Sequence, residues 1–292
     1  MFGMKARDEW GFQLLVNGFL LLVLLIIVVP VWRVLMTSVT PIEVFTRQGV
    51  PYVLAPWNWS VAAYRQLLGH QHFTRATLNS VIITLGGTGL ALLLTVPLAF
   101  ALSTKTLPGR RLITTMILFT FLFHTGLIPV YLLVTRLGWT NKLISVIVPP
   151  AVSVYNTLVM RNFFEGIPEE IKEAARMDGA NDLQVLWQII LPLSKPVLLT
   201  IGMFYAVWYW NEFFYPILYL NDSKLMPLPV LLRTILVSAG LNEYVEYDAF
   251  NSASIDSLKS AGVLLAMIPM LVVYPLIQRY FTRGAVLGGV KE

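Results

Sequence analysis

The residues that could carry chemistry in this chain are few and scattered. Histidine occurs only at positions 70, 72 and 124, and cysteine is absent, which excludes disulfides and thiolate metal sites. His70 and His72 could share a metal ion, but no third ligand stands near them in the sequence, so a solvated loop is the simpler interpretation. No nucleophile–base pair and no acid–base pair of carboxylates is evident. We therefore expect no catalytic residue, no metal site and no enzyme activity in this chain alone.

The glycine-rich run Gly86-Gly87-Thr88-Gly89 could suggest a phosphate-binding loop. Such a loop needs a following Lys-Ser or Lys-Thr pair, and neither follows here. The run also lies inside an apolar stretch, where small residues allow helices to approach closely. We therefore expect helix packing at these glycines and no nucleotide bound by this chain.

The composition indicates whether the chain is surrounded by water or by a membrane. The chain has 292 residues, of which 57% are hydrophobic and 13% are charged, and its mean hydropathy is +0.70. Soluble domains carry about 25% charged residues. The sequence therefore predicts an all-α membrane protein, with a single transmembrane domain over residues 1–292. The net charge of +5 is better explained by basic residues that fix topology than by nucleic-acid binding.

Six apolar stretches are long enough to cross a bilayer. The first is longer than the core of a signal peptide and lacks a cleavage site, so it is a retained helix. Pro149-Pro150 interrupts the fourth. The predicted spans are residues 14–36, 77–101, 112–134, 143–160, 197–220 and 262–281.

The distribution of basic residues predicts the orientation of these spans. Six spans put both termini on one side, and 12 of the 21 Lys and Arg residues lie on that side. We therefore expect cytoplasmic termini, a cytoplasmic loop at 161–196, and external loops at 37–76 and 221–261.

Five polar or aromatic residues within the apolar stretches are candidates for lining a pathway. Ionisable groups inside a membrane are costly, so Glu212 is a functional candidate, although pairing with a partner chain would also explain it. His124 could line the pathway or form a helix–helix hydrogen bond. The candidates are Glu212, Asn211, Trp210, His124 and Asn156.

The stretch 169–196 is the long polar interval around which the chain is organised. Pro168 suits a first helical position, and Glu169 and Glu170 suit a helix N-terminus. Ile171, Ala174 and Ala175 predict a small apolar face, and Gly179 a left-handed cap.

A second short helix follows in the same stretch. Asn181 and Gln184 have capping-box spacing. An apolar stripe follows, and Pro192 is expected to end the helix. The stripe residues are Leu183, Leu186, Trp187 and Ile190. On periodicity alone, an amphipathic surface loop remains the alternative.

The spacing within this stretch resembles the EAA loop of ABC-importer permeases. The match has Glu173-Ala174-Ala175, then Gly179, then Ile189 and Leu191-Pro192 in fixed register. In that family the loop couples a cytoplasmic ATPase to the membrane helices. The resemblance therefore implies an ATPase-coupling role for Glu173, Ala174, Ala175, Asp178, Gly179, Leu191 and Pro192, with Glu173 facing the ATPase. We call residues 161–196 the coupling loop.

The resemblance extends from about Tyr64 to the C-terminus. The runs GLIPVYLLVTRLG, LPLSKP and WNEF look like carbohydrate-importer permeases of the MalG-like kind. RNFF and MPLPVLLRTIL are similar to the LplC-type branch, which is associated with complex and uronate-containing oligosaccharides, including alginate. Trp139 replaces a usual aliphatic residue, with no functional consequence.

This resemblance implies a type I importer permease fold and a set of partners. They are a second homologous permease, two ATPase subunits that bind ATP and Mg, an external solute-binding protein and an oligosaccharide. A secondary transporter driven by an ion gradient is the alternative, but the coupling loop would then have no role.

The external loop at 221–261 is the expected contact for the binding protein. The candidates there are Glu243, Glu246 and Asp248, and a cap on the same subunit is the alternative. Cations near external span ends could guide an acidic sugar, although arginines there also snorkel to headgroups. These cations are Arg33, Arg75, Arg136, Lys142 and Arg233.

Overall fold

The chain is entirely helical in the part that its computed structural model describes, residues 3–123, 125–238 and 253–288. The long helices are apolar, and breaks between the shorter ones coincide with proline, glycine or polar residues. The α-helices are α1 (Gly3–Val39), α2 (Ile42–Gln48), α3 (Ala62–Gly69), α4 (Gln71–Ser103), α5 (Arg110–Leu122), α6 (Leu127–Arg136), α7 (Ile144–Ile147), α8 (Val154–Glu165), α9 (Glu169–Met177), α10 (Asp182–Gln184), α11 (Leu191–Leu193), α12 (Lys195–Asn211), α13 (Phe214–Tyr219), α14 (Leu228–Ser238) and α15 (Ile255–Gly288).

Two compact units divide the chain. The first comprises Met1–Gln71 and Leu232–Met267, and the second comprises His72–Leu231 and Ile268–Glu292. The coupling loop and most of the predicted spans belong to the second unit.

The first unit has a small core at the end of α1. Met36 is fully buried there, and the Ser38 hydroxyl lies 2.7 Å from the hydroxyl of Tyr64 on α3. Ser257 on α15 donates to the carbonyl oxygen of Thr40 at 3.4 Å. The remaining apolar length of α1, from Trp10 to Val31, is exposed, as expected for a helix that meets lipid or another subunit.

The second unit is built around α4, which packs against α12. Gly87 permits this contact, because a Cβ at that position would lie 2.5 Å from Cζ of Tyr209. Close packing is thus confirmed at Gly87, whereas Gly89 has open space around it.

The fourth predicted span is broken at Pro149-Pro150. Two tyrosines of α12 form hydrogen bonds to backbone groups on the two sides of the break. The Tyr209 hydroxyl donates to the carbonyl oxygen of Ile147 at 2.8 Å. The backbone N–H of Ser153 donates to the Tyr205 hydroxyl at 3.0 Å, and that hydroxyl lies 2.8 Å from Thr95 Oγ1 on α4. Backbone groups that are freed inside a membrane need such partners.

A second break follows Asn211, where the sequence predicts a continuous helix over 197–220. Pro216 explains it, since a proline ring clashes with the carbonyl group four residues earlier, at Glu212. Glu212 Oε1 instead accepts hydrogen bonds from the backbone N–H groups of Phe214 and Tyr215, at 2.7 and 3.0 Å. The carboxylate therefore holds the first turn of α13.

Polar side chains of other elements hold the irregular backbone after α13. Asn141 has φ +56°, and its Oδ1 accepts from the N–H groups of Asn221 and Asp222 at 3.1 and 2.9 Å. Asn79 donates to the carbonyl oxygens of residues 224 and 226, and Ser80 Oγ accepts from the N–H of residue 228. These contacts fix a segment that no regular hydrogen-bond ladder holds.

The helix bounds differ from the predicted spans in several places. The third span is divided into α5 and α6, at an angle of 109°, where Gly126 has φ +79° and Pro129 prevents an earlier helix from continuing. The helix α8 runs to Glu165, so the coupling loop is helical at its start. The loop at 221–261 contains α14.

Three described helices are long and apolar enough to cross a membrane, and up to five if each bent pair counts as one span. The predicted number of six spans remains a prediction.

We expect Gly87→Ala to destabilise the protein, because the added methyl group overlaps the Tyr209 ring. Overpacking of this kind costs about 1–3 kcal/mol. Gly89→Ala, on the same helix and in open space, is the matched control and should be neutral or slightly stabilising. Thermal unfolding in detergent measures both. Equal midpoints for the two variants would contradict the packing assigned to Gly87.

Candidate functional site

The first helix of the coupling loop has the charges and the cap that its sequence predicts. Glu169 and Glu170 lie in its first turn and Arg176 in its last, which suits the helix dipole. The helix begins at Glu169. The sequence predicts Pro168 as the first helical residue, but in the structure it is the N-cap residue that precedes the helix. Gly179 has φ +86° and allows the chain to reverse.

The end of this helix is a Schellman motif. The N–H of Ala180 donates to the carbonyl oxygen of Ala175, and the N–H of Gly179 to that of Arg176, both at 3.0 Å. A bulky side chain at Gly179 would be strained in this backbone conformation, even though the surrounding space is open.

The second helix begins with the predicted capping box and then widens. Asn181 Oδ1 accepts from the N–H of Gln184, and Gln184 Oε1 accepts from the N–H of Asn181. Residues 185–190 form a π-helical turn. Pro192 has no N–H and its ring would crowd the carbonyl of Gln188 in a regular α-helix, so the wide turn accommodates it. The helix therefore ends at Leu193, one residue after the predicted stop.

Ser194 marks the bend between the coupling loop and α12. The helical segment Asp182–Leu193 meets Lys195–Asn211 at 86°. The N–H of Ser194 donates to the carbonyl oxygen of Ile190 at 2.9 Å, so the bend is hydrogen-bonded. Its direction turns the coupling loop sharply away from the axis of α12.

One side of the coupling loop is buried in the core of the second unit. Ala175, Val185, Leu186 and Ile190 pack there, together with Phe164 at the end of α8. The predicted stripe on the second helix is therefore divided: Leu186 and Ile190 face inward, whereas Leu183 and Trp187 do not. The coupling loop shares a core with the membrane helices, so a displacement of the loop would change the packing of that core.

The other side is exposed and mostly apolar. Met177 is 83% exposed and Leu183 is 66% exposed. Ile171 and Ala174 are also exposed, whereas Ala175 is buried, so the three residues predicted to share a small apolar face differ in their exposure. We call the set the outer face: Glu170, Ile171, Glu173, Ala174, Met177, Leu183 and Trp187.

The buried side of this helix also contains a lysine that the apolar pattern does not anticipate. Lys172 is 2% exposed, and its Nζ lies 2.9 Å from Glu169 Oε2. Arg176 also approaches Glu169, at 3.5 Å, and Asp182, at 3.3 Å. A buried ammonium group needs a carboxylate partner, and Glu169 supplies it.

The same contacts set the ionisation of Glu169. The hydrogen bond from Lys172 holds the pKa of Glu169 below its ordinary value, with smaller contributions from Arg176, while partial burial opposes the shift. At neutral pH the carboxylate is therefore ionised and pairs with the buried ammonium group.

The predicted coupling residues divide between the two sides. Glu173 and Asp178 are exposed, Ala175 is buried, Leu191 is half-buried and Pro192 is exposed. The exposed apolar side chains together with Glu170 and Glu173 form a protruding helix–turn–helix surface with acidic groups. Such a surface suits a concave partner with apolar walls and a basic group.

The predicted pathway residues differ in exposure and in the contacts that they make. Glu212 uses one oxygen to hold α13, Asn211 is exposed and donates to the carbonyl oxygen of Val207, and Trp210 and Asn156 are buried. His124 lies outside the described residues.

The predicted binding-protein contacts, Glu243, Glu246 and Asp248, also lie outside the described residues. Within the described chain, no group of three or more His, Asp or Glu residues could hold a metal ion.

Sequence reasoning missed Lys172 and the two tyrosines that serve the broken fourth span. A lysine three residues after Glu169 signals an ion pair, but the burial of that pair depends on the packing of α9. The i, i+4 spacing of Tyr205 and Tyr209 shows a shared helix face, but not the carbonyl and N–H groups that they meet.

Comparison with known proteins gives consistent matches over most of the chain. Residues 91–286 match the family described as binding-protein-dependent transport system inner membrane component. The polygalacturonan/rhamnogalacturonan transport system permease protein YtcP of Bacillus subtilis (strain 168) is 39% identical over 96% of this chain and 98% of its own length. Protein LplC of the same organism is 36% identical over 82% of each chain.

Solved structures match as well. A chain in the crystal structure of a bacterial ABC transporter involved in the import of the acidic polysaccharide alginate has a TM-score of 0.87 and 33% identity, covering 94% of this chain and 98% of that one. A chain from a bacterial alginate ABC transporter in complex with an alginate pentasaccharide-bound periplasmic protein has a TM-score of 0.59 and 13% identity, covering 97% of both chains, and shows the fold alone.

We expect Glu169→Gln to lower the thermal midpoint, because Lys172 would stay buried without a carboxylate. A loss of about 1 kcal/mol corresponds to about 2–4 °C in a domain of this size. Since the pKa of Glu169 is lowered in the folded state, its stabilising contribution is present above the unfolded pKa and is lost as the pH falls through the folded pKa.

The difference from wild type should therefore shrink in acid. Glu170→Gln is the control, since Glu170 is exposed and makes no ion pair with any residue in the described ranges. A Glu169→Gln variant that unfolds at the wild-type midpoint at pH 7 would show that Lys172 does not depend on this carboxylate.

Proposed function

We propose a substrate and an assembly for this chain from one premise: it belongs to the family of binding-protein-dependent transport system inner membrane components. The chain is accordingly a membrane-spanning permease subunit of an ABC importer, with the type I permease fold. We propose that its substrate is an oligo- or polysaccharide, and an acidic, uronate-containing one such as alginate in particular.

The observation that carries the transport role is the outer face of the coupling loop. It is an apolar, acidic surface on a segment whose inner side is packed into the membrane helices. A permease of this kind needs both sides. An ATPase must contact the exposed side, and the buried side must pass the displacement on to the membrane helices.

The substrate proposal rests on the relatives. YtcP is named for the transport of polygalacturonan and rhamnogalacturonan, and the structural neighbour at 33% identity imports an acidic polysaccharide. An acidic sugar needs cations or oriented donors along its path, because an unpaired charge is costly where water is scarce.

The basic residues near span ends are not equally available for such a sugar. Arg33 lies over the Tyr52 ring, with 4.8 Å from Cζ to the ring centroid, and its Nη1 donates to the carbonyl oxygen of Val50. Lys142 donates to the carbonyl oxygen of Gly138. The other three are exposed and form no ion pair among the described residues, and these are Arg75, Arg136 and Arg233.

We propose that the complete importer contains the partners that the family implies. They are a second homologous permease, two cytoplasmic ATPase subunits and an external solute-binding protein that contacts Glu243, Glu246 and Asp248. ATP and Mg would bind the ATPases, with no cofactor and no catalytic site in this chain. The chain would span the cytoplasmic membrane, with its termini and coupling loop in the cytoplasm.

The alternative of an ion-driven secondary transporter needs an intramembrane carboxylate that binds the ion. Glu212 was the candidate, and its Oε1 already accepts two backbone hydrogen bonds. This contact favours the ATP-driven importer.

We expect Glu173→Lys to abolish stimulated ATP hydrolysis without reducing the amount of permease in the membrane. Glu173 is exposed on the outer face, so the change reverses a charge at the proposed ATPase contact and leaves the core intact. Co-purification with the ATPase and substrate-stimulated hydrolysis are the measurements. Glu43→Lys makes the same charge change on the exposed surface of α2 and should retain both. Intact stimulation in Glu173→Lys would refute the coupling assignment.

We expect uronate oligosaccharides to stimulate ATP hydrolysis by the purified complex more than neutral oligosaccharides of equal length. Arg136→Gln should reduce the response to uronate sugars selectively, because this arginine is exposed and available. Arg33→Gln should instead reduce thermal stability, since it removes the contacts with residues 50 and 52. Stimulation by neutral sugars alone would remove the acidic substrate and leave the importer role standing.

A further inference from the structure

A cluster of two arginines and one carboxylate lies where α8 leads into the coupling loop. Glu165 is the last residue of α8. Its Oε1 forms ion pairs with Arg110 Nη2 and with Arg161 Nε, the latter at 3.3 Å. The proposed function uses none of these three residues.

Arg110 connects this cluster to a different part of the fold. It is the first residue of α5, and its Nε donates to the carbonyl oxygen of Leu102, near the end of α4, at 2.7 Å. One guanidinium group thus holds the end of α4 and the end of α8 together. Arginine can do this because its donors lie in a fixed planar arrangement.

The connection from Glu165 to α9 within the coupling loop is short and hydrogen-bonded. The N–H of Gly166 donates to the carbonyl oxygen of Asn162, that of Ile167 to Phe164, and that of Ile171 to residue 168. No flexible linker therefore separates α8 from α9. A displacement of the coupling loop must move the Glu165 carboxylate as well.

We infer that Glu165 is a positioning residue, which fastens the coupling loop to the turn between α4 and α5 through Arg110. When the ATPases displace the coupling loop, the ion pair makes α4 and α5 move with α8. Without it, α8 would transmit the motion to α12 through the apolar core, but α4 and α5 would follow less closely. This inference rests on the proposed ATP-driven import.

The test uses the reconstituted importer with its binding protein in proteoliposomes. The measurement is the ratio of the ATPase rate with sugar-loaded binding protein to the rate without it. We expect Glu165→Gln and Arg110→Gln each to lower this ratio about two- to fivefold, the scale of one partly exposed ion pair. The complexes should assemble in wild-type amounts.

The matched control is Arg111→Gln. Arg111 occupies the same turn, is exposed, and makes no ion pair to any residue within the described ranges, so the ratio should stay at the wild-type value. The double variant Arg110→Gln/Glu165→Gln should lose less than the product of the two single losses, because both changes break the shared Arg110–Glu165 pair.

A covalent link provides a second test that does not depend on charge. The chain has no cysteine, so Arg110→Cys/Glu165→Cys can be joined by a bifunctional thiol reagent. If the two ends move together, the cross-link restores the ratio that the double cysteine variant has lost. If the contact must open during transport, the cross-link abolishes transport and the inference is overturned.

The outcomes separate the inference from the function on which it rests. A wild-type complex that is not stimulated by the loaded binding protein refutes the proposed function. If the wild type is stimulated but the ratio is unchanged in Glu165→Gln, the inference is overturned and the proposed function stands. The same holds if the losses in the double variant are additive.

Discussion

The fold depends on the need of each backbone N–H and C=O group for a partner in the absence of water. Regular helices meet this need by themselves, but the second unit of this chain breaks its helices repeatedly. At three places in the described residues a specific side chain supplies a missing partner. Tyr205 and Tyr209 serve the break at the double proline, Glu212 the start of α13, and Asn141 the chain after it. Each of these polar residues therefore makes a structural contact within the chain.

The coupling loop shows how one segment can serve two environments. Its inner side shares a core with α8, α4 and α12, and its outer face carries exposed apolar and acidic side chains. Lys172 lies on the inner side, where its buried ammonium group pairs with Glu169. The apolar pattern alone did not predict this division.

The proposed transmission of force through this permease would use two connections to the coupling loop. The bend at Ser194 leads from the coupling loop into α12, and the hydrogen-bonded turn after Glu165 leads from α8 into the coupling loop. Both routes are short, and neither contains a flexible linker. Apolar packing carries motion across one, and the Arg110 guanidinium group connects the other to α4. Packed interfaces of this kind change between discrete arrangements and do not deform continuously.

The sequence alone determined the class of protein, the two short helices of the coupling loop and their caps. These features depend on composition and on residues within a few positions of one another, such as Gly179 or Asn181 with Gln184. Only the tertiary structure decided which side of those helices is buried, that the third and fifth predicted spans also break, and what Glu212 contacts. Those outcomes depend on contacts between residues far apart in the chain, such as Tyr209 with Gly87 and Ile147. Periodicity cannot predict these contacts, because it indicates only which residues share a helix face and not which residues that face contacts.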